Sequence, residues 1–159
     1  MPYYLFADRK EAGKALATRL EHYTNNTNVL ILALPRGGVP VAAEIAASLR
    51  LPLDILLVRK LGVPGQEELA MGAIALDRIC VLNPEVVEGL HISESAIEHV
   101  LAKEQAELLR RNYVYRQGRP PPEVKNKTVI IVDDGVATGA TLRAAISALC
   151  QAEAAKIIA

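Results

Sequence analysis

The chain has 159 residues, of which 51% are hydrophobic and 23% are charged, and its 18 basic residues balance its 18 acidic residues. This composition predicts one soluble globular domain, and a net charge of zero argues against bulk electrostatic binding to nucleic acid or anionic membranes. The first ten residues lack the basic start of a signal peptide and no apolar run is long enough to span a bilayer, so we expect a cytoplasmic protein.

Helical and strand patterns alternate along the first third of the chain. Residues 8–23 carry apolar side chains every four positions, and Asp8 can cap the start of this helix. A continuous apolar run at 29–34 and a second, largely apolar run at 53–58 have the length of strands that are buried on both faces of a parallel sheet. A helix of small and apolar residues, 41–50, separates the two runs.

The stretch RKLGVPGQEE follows the second apolar run and is rich in glycine and charge. This composition predicts an exposed, flexible loop over about residues 59–70. Shorter strands are predicted at 69–76 and 79–83, on either side of an Asp-Arg pair.

The last third of the chain continues the same alternation. Its predicted elements are a long helix capped by Ser93 or Ser95 that runs to about Tyr115, a proline-rich connector (118–127), a third buried strand (128–133), a helix (141–152) and the start of a strand (156–159). A buried strand is normally followed by more structure, so a chain that stops there is expected to be a C-terminally truncated piece of a longer protein.

Strands that alternate with helices predict an α/β fold with three layers, a mostly parallel central sheet and helices on both faces. Ligands bind such sheets beyond the carboxyl ends of the strands. Three loops leave those ends, namely PRGG (35–38), RKLGVPGQEE (59–68) and DDGVATGAT (133–141). Each loop carries groups suited to phosphates or to vicinal hydroxyls, so we expect them to converge on one site.

Two adjacent acids, Asp133 and Asp134, stand where the third buried strand ends. Carboxylates only accept hydrogen bonds, so the pair suits the vicinal hydroxyls of a ribose or a positive charge that develops on a sugar ring. Gly135 and Gly139 let the backbone approach a ligand, and the helix that follows offers free N–H groups to an anion. The alternative interpretation is an acidic cap on a tight turn, for which one acid would suffice. No dinucleotide fingerprint or P-loop pattern is present, so the pattern favours a sugar phosphate.

The stretch VIIVDDGVATGAT resembles the phosphoribosyl-diphosphate (PRPP) signature of the type I phosphoribosyltransferases. LALPRGGVPVAAEIA resembles the first active-site loop of that family, and VRKLGVPGQEELAMGAIA resembles its flexible catalytic loop. The likeness extends from about Phe6 to the end of the chain. It is greater to a bacterial group of predicted phosphoribosyltransferases than to the adenine, hypoxanthine, orotate or uracil enzymes. It implies one phosphoribosyltransferase-like domain over residues 1–159.

The resemblance implies a role for each loop. The two acids would hold the ribose 2′- and 3′-hydroxyls, and the small residues after them would cradle the 5′-phosphate. PRGG would bind pyrophosphate, often with a strained or cis peptide in that loop, and the basic pair of the flexible loop would reach the pyrophosphate on closure, which excludes water. The implied PRPP-binding residues are Arg36, Gly37, Gly38, Asp133, Asp134, Gly135, Val136, Ala137, Thr138, Gly139, Ala140 and Thr141. The implied catalytic residues are Arg59, Lys60, Asp133 and Asp134.

The implied reaction transfers the 5-phosphoribosyl group of PRPP to a nitrogen acceptor, a nucleobase or a related compound, with release of pyrophosphate, as in nucleotide salvage. Mg²⁺ would bind through PRPP, with Asp133 or Asp134 as its candidate protein ligand. Membranes and nucleic acids are not expected partners, and a homodimer is expected from the family alone.

Two other functions remain open. A regulatory protein could sense PRPP without catalysis, but such proteins tend to lose the basic residues that Arg59 and Lys60 supply here. A sugar-phosphate hydrolase would need a group that activates water, and none stands out. The acceptor and its general base are not readable from the sequence.

The remaining reactive side chains fit structural roles. Cys80 and Cys150 lie far apart and in no metal-ligand spacing, so we expect reduced thiols, and the three histidines have no partner at ligand spacing. The stretch RRNYVYRQGR could bind RNA through its basic and aromatic residues, but we interpret it as a helix end that its dipole favours.

Overall fold

The structure is a computed structural model that describes residues 5–75 and 79–159. The chain divides into two compact units. The first unit comprises Met1–Leu56, Val124–Ala137 and Ala154–Ala159, and the second comprises Leu57–Glu123 and Thr138–Glu153.

Elements are numbered in chain order, and their bounds are α1 (Arg9–Arg19), a 3-10 turn (Glu21–Tyr23), β1 (Val29–Ala33), α2 (Gly38–Leu49), β2 (Leu53–Ile55), β3 (Val58–Val63), β4 (Gln66–Ala75), β5 (Ile79–Leu82), α3 (Pro84–Gly89), α4 (Glu94–Arg116), β6 (Thr128–Val132), α5 (Ala140–Gln151) and β7 (Lys156–Ile158). None of the helices in the described part of the chain combines the length and apolar character that a membrane span requires.

The first unit is built on a four-stranded parallel sheet in the order β2–β1–β6–β7. Every residue of β1 is buried, as its continuous apolar run predicts. In the register of β1 against β6, Ala33 lies opposite Val132, so the carboxyl ends of the two strands meet at one edge. The α/β class and the parallel central sheet are confirmed.

Helices α1 and α2 pack closely in the same unit. Asp8 caps α1 as predicted, because its Oδ1 accepts a hydrogen bond from the backbone N–H of Glu11 at 2.8 Å. An ideal Cβ at Gly13 would lie only 2.7 Å from the backbone oxygen of Val41 in α2. The helices can therefore approach this closely only because residue 13 has no side chain. The core of this unit includes Ile31, Val41, Ile45, Leu49 and Ile130.

The second unit contains an antiparallel sheet, β3–β4–β5, which corrects the loop predicted over about residues 59–70. Strands β3 and β4 form a hairpin with a two-residue turn at 64–65, where Gly65 has φ 80°. Leu61 and Val63 are buried on this hairpin, and Gly62 sits at a register shift. The alternation of Leu61, Gly62 and Val63 is typical of a strand. The proline, the glycines and the charges around them are typical of a loop, and for that reason a loop was predicted. The mobility of the segment stays a prediction.

Other boundaries differ in smaller ways. The predicted strand 53–58 is divided, because β2 ends at Ile55 and β3 begins at Val58. A short helix, α3, was not predicted; Asn83 caps it and Pro84 occupies its first turn. Ser93 caps α4, as one of the two predicted alternatives. The last residue of the predicted strand 69–76 and the Asp-Arg pair after it lie outside the described residues.

Candidate active site

Two of the three predicted loops leave neighbouring parallel strands at the same edge of the sheet. PRGG follows β1, and the two acids follow β6. The backbone N–H of Leu34 donates to the oxygen of Val132 at 2.9 Å, which joins the two strand ends. A Cβ at Gly38 would lie 2.4 Å from that same oxygen and 3.0 Å from the Cα of Asp133. Only glycine at position 38 allows the PRGG loop to rest on this strand end.

The PRGG loop turns directly into α2. Its Arg36 side chain is exposed, and the peptide bond between Pro35 and Arg36 is cis, the form that the resemblance implied for this loop. An exposed guanidinium beside two glycines has the donors that a phosphate group needs.

Asp134 lies against this loop. A Cβ at Gly37 would stand 2.2 Å from Oδ2 of Asp134 and 2.3 Å from its Cγ. The φ of Gly37 is −63°, so glycine is required here for space and not for backbone conformation. The structure therefore brings together one of the two predicted ribose-binding acids and the predicted pyrophosphate loop.

Arg9, at the start of α1, also contacts Asp134, although it belongs to none of the predicted loops. Its Nε and Nη2 donate to Oδ2 of Asp134 at 3.1 and 2.7 Å. The two side chains are 58% and 31% exposed. These hydrogen bonds lower the pKa of the Asp134 carboxyl from its ordinary value. No local pattern marks Arg9 in the sequence, because its partner lies 125 positions away.

Asp133 differs from its neighbour. Its side chain is half-buried, and its Oδ1 accepts a hydrogen bond from the backbone N–H of Asp134 at 2.8 Å. Burial is the main reason why the pKa of Asp133 is raised; the hydrogen bond from the backbone N–H of Asp134 lowers it in part, and the Asp134 carboxyl raises it. The pKa values of the two carboxyls are thus shifted in opposite directions, so Asp133 takes up a proton before Asp134 as the pH falls.

The small-residue loop after the acids passes from the first unit to the second between Ala137 and Thr138. Residues 135–137 are exposed. In the second unit, Gly139 has φ 76°, a left-handed conformation that favours glycine, and α5 begins at the next residue. Oγ1 of Thr138 accepts a hydrogen bond from the N–H of Ala140 at 3.3 Å. Helix α5 therefore starts within the predicted phosphate loop.

The basic pair of the predicted flexible loop lies in strand β3 of the second unit. Nε of Arg59 donates to Oε2 of Glu104 in α4 at 2.7 Å, and the two side chains are 29% and 14% exposed. Adjacent residues of a strand point to opposite faces, so Lys60 points away from the face that Arg59 shares with Glu104. The two residues therefore lie in a strand, where a loop was predicted, and their side chains do not form one basic cluster; their contact with pyrophosphate stays a prediction.

The carboxylates at this site could hold a magnesium ion together with the phosphate groups of a bound ligand. Among residues 5–75 and 79–159, no group of three or more His, Cys, Asp or Glu side chains could hold a metal ion. Mg²⁺ often uses one or two carboxylates together with substrate phosphates, and does not need a cage of protein ligands. The adjacent carboxylates of Asp133 and Asp134 suit that mode.

Open α/β proteins bind ligands beyond the carboxyl ends of their parallel strands. In this chain an acid pair and a glycine loop lie at that edge, which is the arrangement of this class. A family model, that of the phosphoribosyl transferase domain, matches residues 7–159. The chain therefore belongs to the phosphoribosyl transferase domain family.

Known relatives agree with this assignment. Two curated proteins from the CDC 1551 and H37Rv strains of Mycobacterium tuberculosis, provisionally named phosphoribosyl transferases, are 52% identical to the chain over 141 residues. These residues are 89% of this chain and 32% of each relative, so the chain spans about a third of their length.

Two solved structures resemble the fold. The crystal structure of TT1426 from Thermus thermophilus is 39% identical with a TM-score of 0.85, over 96% of this chain and 72% of that one. A purine phosphoribosyltransferase from Pyrococcus horikoshii is 21% identical with a TM-score of 0.53, over 97% of this chain and 71% of that one. The second likeness concerns the fold alone.

Proposed function

We propose that the chain is the PRPP-binding domain of a phosphoribosyltransferase, which transfers the 5-phosphoribosyl group of PRPP to a nitrogen acceptor and releases pyrophosphate. The observation that carries the proposal is the contact between Asp134 and Gly37 at the adjoining ends of β1 and β6. That contact sets a carboxylate beside a glycine loop, so that neighbouring groups could bind the ribose hydroxyls and the diphosphate of one ligand.

In the proposed reaction the chain mainly binds, orients and stabilises charge. Asp133 and Asp134 accept hydrogen bonds from the 2′- and 3′-hydroxyls, and PRGG donates to the diphosphate. The bond from C1 to the diphosphate oxygen breaks, and its electron pair leaves with the diphosphate. The ribose ring then carries positive charge, which the two carboxylates stabilise. The acceptor nitrogen forms the new bond to C1 from the opposite face, with inversion, and loses its proton to the solvent.

Magnesium is part of the same proposal. Asp133 or Asp134, together with oxygens of PRPP, would hold the ion, which when bound would offset the negative charge of the diphosphate. The nucleotide-salvage role and the homodimer, which the family resemblance implies, and the cytoplasmic location, which the sequence pattern suggests, also remain proposals.

A second candidate function is the sensing of PRPP without catalysis. The ion pair between Arg59 and Glu104 favours it, because a basic residue proposed to reach pyrophosphate is held by a carboxylate instead. The two candidates share the binding site and differ in pyrophosphate release, so one series of experiments separates them.

The test is calorimetric titration of PRPP, with and without Mg²⁺, into the wild-type chain and the double variant Asp133→Asn/Asp134→Asn. We expect Mg²⁺-dependent binding to the wild type and none to the variant, with the fold retained. The matched control is Glu85→Gln/Glu88→Gln, which removes the same charge from exposed positions of α3. Equal affinity in the wild type and the Asp133/Asp134 variant would refute the ribose assignment.

Catalysis is tested separately, by screening purines, pyrimidines and other amines for pyrophosphate release. Release that depends on one acceptor would support the transferase. Tight PRPP binding without release for any acceptor would favour the sensing function.

A further inference from the structure

We infer that Arg9 is a positioning residue of the candidate PRPP site and acts through Asp134, holding its carboxylate against Gly37 where a ribose hydroxyl would bind. The inference rests on the proposed function, because it assigns a role to Arg9 within the same site. Arg9 lies outside the three loops that the sequence motifs define.

The contact has the geometry of an orienting interaction. Two donors of one guanidinium, Nε and Nη2, converge on Oδ2 of Asp134. The same oxygen lies closest to the position that a Cβ at residue 37 would occupy, at 2.2 Å. The carboxylate is thus confined between a planar cation and the backbone of the PRGG loop. A lysine could supply the charge but not the two-donor fork.

The backbone around Arg9 is itself held in place. Asp8 caps the first turn of α1, and Gly13 packs against the backbone of α2 one turn further along. The ion pair consequently ties the start of α1 to the end of β6, across 125 positions of sequence. A partly exposed ion pair adds little to folding stability, so we expect its effect to be seen mainly in ligand binding.

The alternative role, direct contact between Arg9 and the diphosphate, predicts a different pattern of coupling. If Arg9 acts only through Asp134, removing Arg9 should have no effect once Asp134 can no longer form the pair. If Arg9 contacts the ligand itself, the effect should persist. A double-mutant cycle measures this difference.

The experiment is titration of PRPP with Mg²⁺ into Arg9→Gln, in the wild-type background and in the separate backgrounds Asp134→Asn and Asp133→Asn. In the wild type we expect the dissociation constant to rise about tenfold, the size of one lost charge-assisted interaction. In Asp134→Asn we expect a change of less than about twofold, and in Asp133→Asn the full effect.

Two further variants test the role of the guanidinium and provide a control. Arg9→Lys keeps the charge without the fork, so its affinity should lie between those of the wild type and Arg9→Gln. Arg19→Gln is the matched control, because it removes an exposed arginine from the last turn of the same helix. It should bind PRPP like the wild type.

The inference is overturned if Arg9→Gln binds PRPP as tightly as the wild type, or if the loss is the same with Asp134→Asn as without it. A wild-type chain that binds no PRPP would overturn the proposed function together with this inference. The behaviour of the wild type therefore distinguishes the two failures. Thermal unfolding of each variant shows whether the fold is retained.

Discussion

Replacing Gly37 with alanine isolates one contact of the candidate site. Alanine adopts the backbone angles of this residue, φ −63° and ψ −33°, without strain, so the substitution adds only a methyl group. The added carbon would lie 2.2 Å from Oδ2 and 2.5 Å from Oδ1 of Asp134. The methyl group is fixed to the backbone, whereas the carboxylate sits on a rotatable side chain. We therefore expect the carboxylate to swing away.

The cost of this movement follows from the contacts that it breaks. Both hydrogen bonds from Arg9 are lost, which costs about 0.5–1 kcal/mol for an ion pair whose side chains are 58% and 31% exposed. A strained side-chain rotamer adds about 1 kcal/mol. The lower entropy of the unfolded alanine chain returns roughly 0.4–1 kcal/mol. The expected net loss of unfolding free energy is about 1 kcal/mol.

PRPP affinity should fall further than stability. A displaced carboxylate cannot accept the hydrogen bond from a ribose hydroxyl, and hydrogen bonds to charged groups contribute about 1.5–3 kcal/mol. We expect the dissociation constant to rise roughly tenfold to a hundredfold. Urea unfolding measures the first quantity, and calorimetric titration with Mg²⁺ measures the second.

Two other glycines provide the comparison. A Cβ at Gly89 meets nothing within 4 Å, so Gly89→Ala should leave PRPP affinity unchanged and raise stability by roughly 0.4–1 kcal/mol, through the lower entropy of the unfolded chain alone. A Cβ at Gly38 would meet the backbone oxygen of Val132 at 2.4 Å, so Gly38→Ala should lose about 1–3 kcal/mol of stability. The expected displacement of the Asp134 carboxylate is refuted if Gly37→Ala binds PRPP like the wild type.

Three further predictions concern other parts of the chain. Gly13→Ala should lower the unfolding free energy in urea by about 1–3 kcal/mol, because the new methyl group would lie 2.7 Å from the oxygen of Val41; unchanged stability would contradict this close packing. Glu104→Gln should release Arg59 and tighten PRPP binding in calorimetry, and an unchanged affinity would show that the ion pair does not compete with the ligand. Glu107 should titrate by NMR with a pKa of about 2 instead of 4.5, because Arg110 and Arg111 donate hydrogen bonds to its carboxylate. Its stabilising contribution should be complete above pH 4.5 and disappear as the pH falls towards 2, and titration near 4.5 would refute this prediction.

The main strands could be predicted because burial on both faces leaves a simple trace in the sequence. β1 is an apolar run without interruption, and all of its residues are buried. The hairpin of β3 and β4 leaves a weaker trace, because its turn and its register shift use proline and glycine, the residues that also mark loops. Local composition alone cannot separate these two cases.

The features of the candidate site also differ in whether the sequence predicts them. The acid pair and the PRGG loop could be predicted because each is a compact motif at the end of a predicted strand. The pairing of Arg59 with Glu104 could not, since the partners come from a strand and a helix 45 positions apart. No spacing rule links such positions.

Local patterns of hydrophobicity and turn chemistry suffice to predict the fold class, the parallel sheet, and the acids and glycines at its carboxyl edge. The contact of Arg9 with Asp134, and the need for a residue without a side chain at position 37, are visible only in the folded chain. Both contacts depend on the order of the strands and on the packing of α1 against α2, which bring together residues that are far apart along the chain.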